Sequence, residues 1–118
     1  MRFEGRDLKP FAEPVTVGEL KEGEVYFSLN FLDSDMLLPL LEPVVFVGKN
    51  LSIDDVDELY FQDAGSYRQG LRWGPSTGND ATFYRQSPTE IGHIFEYERA
   101  LDRLMACSLR RKKVRQGV

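Results

Sequence analysis

SPTEIGHIFEYERALDRLMACSLRRKKVR, residues 87–115, is the stretch on which the fold turns. It opens with Ser87 as a helix N-cap, Pro88 at the first helical position and Glu90 three residues after the cap, the pattern of a capping box. At 100° per residue, Ile91, Ile94, Tyr97, Leu101, Leu104, Met105 and Leu109 gather on one face, which is expected to be the helix's share of the core. Arg99, Arg103 and Arg110 align on the opposite side and are expected to face solvent. Gly92 costs about 1 kcal/mol inside a helix, so GHIFEY also reads as a last strand followed by a helix from near Glu96. The longer helix, 87–113, is the preferred reading, with 114–118 as a basic tail.

Upstream the period changes from that of a helix to that of a strand. In EVYFSLNF, residues 24–31, Val25, Phe27, Leu29 and Phe31 alternate with Glu24, Tyr26, Ser28 and Asn30, which predicts a half-buried strand. LDSD follows as a turn. In MLLPLLEP, Pro39 is incompatible with a central strand or a helix interior and points to an edge or bulged strand. VVFVG reads as a buried strand, LSIDDVDE as a loop or single turn, and LYFQD and ATFYRQ as further short strands. Between these last two, AGSYRQGLRWGPSTGND carries four glycines and is expected to be a turn-rich excursion, with a brief strand around Leu71 to Trp73. Residues 1–23, rich in Pro, Gly and mixed charge, read as an extended arm leading into a turn.

At 118 residues, with 42% hydrophobic and 29% charged side chains and no repeat or internal boundary, the chain is expected to form one domain. The expected class is α+β: a small, strongly bent antiparallel sheet or SH3-like barrel spanning 24–86, with the long C-terminal helix on one side.

The N-terminus lacks the apolar run of a signal peptide, and MLLPLLEPVVFVG is too short and too interrupted to cross a bilayer. A single cysteine, Cys107, makes no internal disulfide, so a cytoplasmic location without membrane attachment is expected. One histidine, His93, excludes His-pair metal sites and two-histidine relays, and on one helix it would lie about 20 Å from Cys107. The carboxylates at Asp33 and Asp35, and at Asp54, Asp55, Asp57 and Glu58, lack the spacing of a calcium loop and read as solvated loop residues or an adventitious divalent-ion site. The glycines match neither GxGxxG nor GxxxxGK[ST], and Ser66, Ser76 and Ser87 lack a GxSxG context. No cofactor and no catalytic constellation are expected, and carboxylate-based catalysis is the last-ranked reading.

Two features point to binding. Up to residue 98 there are eight basic and eighteen acidic residues, a net of -10; beyond it seven basic residues face one acidic, a net of +6. Arg110, Arg111, Lys112, Lys113 and Arg115 therefore form a basic end, read as a helix-dipole and solubility device or as a weak, salt-dependent contact to nucleic acid or another polyanion. Aromatic and apolar residues in SYRQGLRW and MLLPLLEP form the second feature. Tyr67, Trp73, Leu37 and Leu40 are the candidate interface of a small interaction or accessory module that binds a protein, itself or another, through a sheet face or the C-terminal helix.

Overall fold

The computed structural model describes residues 7, 9, 11–75 and 77–116. The first residues of the expected arm, Ser76 and the end of the expected tail lie outside these. Alternation in residues 24–31 produces strand β1 (Val25–Phe31). MLLPLLEP and VVFVG, read separately from the sequence, merge into one strand, β2 (Pro39–Lys49). Then come β3 (Leu59–Asp63), the short helix α1 (Ala64–Arg68), β4 (Phe83–Gln86), β5 (Ile94–Phe95) and the helix α2 (Tyr97–Gln116). The strands form one five-stranded sheet in the order β4-β3-β2-β1-β5, with every pair of neighbours antiparallel. The fold is α+β with a C-terminal helix, as expected. The sheet is open, however, because β4 and β5 end it on opposite sides, so the barrel alternative is not borne out.

Both prolines of β2 sit where no ladder hydrogen bond is lost. Pro39 opens the strand, and Pro43 lies in the half that pairs with β1 alone, since pairing to β3 begins at Val44. The edge reading thus holds for residues 39–43, while Val44 and Val45 pair on both sides. A bulge between Phe46 and Gly48 re-registers β2 on β3. Gly48 adopts φ +143 there, and a Cβ would come within 3.2 Å of Leu51.

Residues 87–96 correct the longer-helix reading. The Ser87 N–H does donate to the Glu90 carboxylate at 3.0 Å, but the capping pattern closes only a 3-10 turn, Pro88–Glu90. The chain then extends to form β5, because the free edge of β1 needs partners: Leu29 N–H donates to the His93 carbonyl at 2.8 Å, and Phe27 pairs with Phe95. The same Thr/Ser-x-x-Glu device recurs at Thr16–Glu19, closing the 3-10 turn Val17–Glu19 in the arm. The excursion after β3 contains α1, which the glycines concealed, and no strand near Leu71.

Both faces of the sheet are covered. On one, Tyr26, Val44, Phe46, Phe61 and Ile94 are buried under Val15, Val17 and Leu20 of the arm and under Ile91. Tyr26, read as solvent-facing from the alternation, is therefore a core residue; its hydroxyl donates to the Glu19 carbonyl and accepts from the Lys21 N–H. On the other face, Leu29, Phe95 and Ala100 form a second cluster with Phe27, Phe31 and Leu104, and this is where α2 docks. No helix among the described residues is long and apolar enough to cross a membrane.

Candidate interaction surface

α2 docks the wrong way round for an ordinary amphipathic helix. Ala100, Asp102, Ala106 and Cys107 are buried, whereas Tyr97, Leu101, Met105 and Leu109 keep 68, 38, 51 and 45% of their surface exposed. The three arginines expected in solvent face the body instead. Arg99 pairs with Glu19 at 2.8 Å, Arg103 Nε donates to the Ala12 carbonyl at 2.7 Å over the Phe95 ring, and Arg110 donates to the Met36 carbonyl at 3.1 and 3.0 Å over the Phe31 ring.

The reason is steric and electrostatic. Small side chains at 100, 106 and 107 let the helix approach the sheet closely, and arginine stems lie along aromatic rings while their heads reach backbone carbonyls at the margin. The Cys107 thiol points the same way, toward the carbonyls of Met36 and Leu37 at 3.5 and 3.7 Å. Those carbonyls belong to the β1–β2 turn, which Asp33 shapes by accepting from the N–H groups of Leu37 and Leu38.

The consequence is an apolar stripe directed outward. Its inner margin is a groove of about 310 Å³ between α2 and the sheet, lined by Phe27, Leu41, Tyr97, Ala100, Leu101 and Leu104. Leu41, on the helix-facing side of β2, is 39% exposed. At the start of α2 an open trough of about 1100 Å³ is lined by Glu13, Glu19, Glu96, Glu98 and Asp102, among others. At its end Arg111, Lys112, Lys113 and Arg115 are all exposed.

No family model, curated protein or solved structure matches the chain.

The four residues singled out from the sequence do not form one surface. Trp73 packs against Tyr60 and Phe83 with ring centroids 5.0 and 5.1 Å apart and is 43% exposed, while Tyr67 lies under the Arg72 guanidinium. Both border Val47, near the end of β2. Leu37 and Leu40 are at its beginning, seven or more residues away, which is about 23 Å along a strand. Leu40 also points to the face away from α2, whereas its neighbour Leu41 points into the groove.

The Asp55 carboxylate accepts from the Tyr60 hydroxyl and the Ser52 N–H and lies 3.7 Å from Arg85, and the Tyr60 bond above all holds its pKa below the usual carboxylate range. His93 lines a small cleft on the sheet face away from α2, with Ser28, Glu42, Tyr84 and Gln86. Burial there pushes the Tyr84 phenol up, helped by the Glu42 and Asp63 carboxylates. The sheet separates this cleft from Cys107. Among the described residues no group of three or more His, Cys, Asp or Glu is placed to hold a metal ion.

Proposed function

We propose that the protein is a small cytoplasmic interaction module that binds a protein partner through the outward stripe of α2 and the groove beside it. The supporting observation is the inverted docking of α2: three arginines are held against the body while Tyr97, Leu101, Met105 and Leu109 are left in solvent. An exposed aliphatic and aromatic stripe beside a groove is a costly feature for a monomer and an ordinary one for an interface. Photo-crosslinking amino acids placed at 101 and 105 in the intact protein in cells test this. Discrete protein adducts from both positions, and none from Asp54 in the acidic loop, are expected; no adduct from 101 or 105, or equal adducts from all three, would overturn the reading.

The exposure of Arg111, Lys112, Lys113 and Arg115 supports a second reading, weak polyanion binding by the helix end. Arg110 does not belong to that set, because its guanidinium is engaged by the Met36 carbonyl.

A further inference from the structure

We infer that the occupant of this surface is a second copy of the chain, its α2 packed antiparallel across a two-fold axis at Met105. The inference rests on the reading of the stripe as an interface and adds what fills it. At 100° per residue, Tyr97, Glu98, Leu101, Met105, Leu109 and Lys112 fall within an arc of about 120°, so the apolar stripe carries an acid near its start and a base near its end. The spacing is symmetric about Met105. Leu101 and Leu109 lie four residues to either side, and Glu98 and Lys112 lie seven.

In an antiparallel pair centred there, Met105 meets its own copy, Leu101 meets Leu109, and Glu98 meets Lys112 twice. The wider charge distribution agrees. The trough at the start of α2, where Glu13, Glu19, Glu96 and Glu98 outnumber Lys9 and Arg99, comes to lie beside the partner's Lys113, whereas a parallel pair would set basic end against basic end.

The half-exposed side chains of Leu41, Tyr97, Leu101, Met105 and Leu109 present roughly 400 Å² of apolar surface, the size of a monomer's largest and often functional patch and about half of the ~800 Å² each partner gives a standard interface, so the charged ends must supply the rest. The charged ends supply the polar rim that such an interface has around its core. Two-fold closure also leaves no further copy of the stripe exposed, so the assembly stops at two.

The test is light scattering of the purified full chain between about 1 and 200 µM, read with matched variants whose fold is checked by circular dichroism. Wild type is expected to move from 13.6 kDa toward twice that mass. Met105→Asp sets two carboxylates face to face and is expected to weaken association at least ~100-fold with the fold intact. Lys112→Glu, at an exposed position, is expected to weaken it about tenfold. Adding Glu98→Lys is expected to restore it, which only the antiparallel arrangement allows. A wild type that stays monomeric at 200 µM, or a double variant no tighter than Lys112→Glu alone, overturns the inference. Adducts from positions 101 and 105 at the mass of a different protein, with a monomeric purified chain, would sink the second copy while leaving the interaction reading standing. Absence of any adduct would sink both.

Discussion

Replacing Arg103 by Ala tests whether the arginine face of α2 holds the helix to the body. The side chain donates to the Ala12 carbonyl at 2.7 Å and places its guanidinium 5.5 Å from the centre of the Phe95 ring. A hydrogen bond from a charged donor is worth about 1.5–3 kcal/mol and a partly exposed cation–π contact about 0.5–1, so the loss should be about 2–4 kcal/mol. For a chain of this length that corresponds to a fall in Tm of roughly 10 °C. Urea unfolding at sub-micromolar protein, followed through Trp73, keeps association out of the measurement. Arg111→Ala, at an exposed position one residue beyond the last anchored arginine, is the control and should stay within about 0.5 kcal/mol of wild type. An Arg103→Ala variant as stable as Arg111→Ala would refute the inward arginine face.

Three further outcomes follow from named contacts. The Arg99 guanidinium, then the Thr16 N–H and hydroxyl, lower the Glu19 pKa from its ordinary 4.5 to about 2. Its stabilising contribution is therefore complete above about pH 4.5 and is lost as pH falls from there toward about 2, and a Glu19 carboxyl carbon titrating near 4.5 by NMR would contradict this. Ser66→Ala should cost about 1–3 kcal/mol in urea unfolding, because the Ser66 hydroxyl accepts from Nε2 of the fully buried Gln62 at 2.9 Å; a change under about 0.5 kcal/mol would refute that linkage. If the basic end binds duplex DNA, four exposed cations give a log–log salt slope no steeper than about -4, and a chain ending at Arg110 should not bind. Unchanged anisotropy titrations for that shorter chain would dismiss the basic end as the contact.

The strands were largely legible because side-chain alternation and β-branched runs are local signals. LYFQD became β3, Leu59–Asp63, and ATFYRQ became β4, Phe83–Gln86. The capping pattern at Ser87 was also read correctly as chemistry, yet it could not announce that the neighbouring edge of β1 would draw residues 94–95 into the sheet. That competition is tertiary. Helix orientation failed for a related reason: the hydrophobic wheel ranks Tyr97, Leu101, Leu104, Met105 and Leu109 as inward and arginine as outward, but of these only Leu104 packs against the core, and close docking on the sheet favoured Ala100, Ala106 and Cys107. The signal that could have found it was present in the row of small residues running beside Arg99, Arg103 and Arg110. The proposed interface turns on a single-residue distinction, since Leu40 and Leu41 are both apolar and only the strand's register sends Leu41 toward α2.

Cys107 offers the most direct measurement of that orientation, because it is the chain's one thiol and the two orientations place it oppositely. With the arginine face inward it is 2% exposed beneath the β1–β2 turn; with the large apolar residues inward it would lie in solvent. The rate of reaction with a water-soluble disulfide reagent should therefore be about 100-fold or more slower in the native protein than in urea, where opening of the fold no longer limits access. A Cys107→Ser variant carrying Met105→Cys should react natively, at sub-micromolar protein, nearly as fast as unfolded chain. Native Cys107 reacting at the unfolded rate with the circular dichroism of the folded protein unchanged would contradict the inverted helix, and with it the outward stripe.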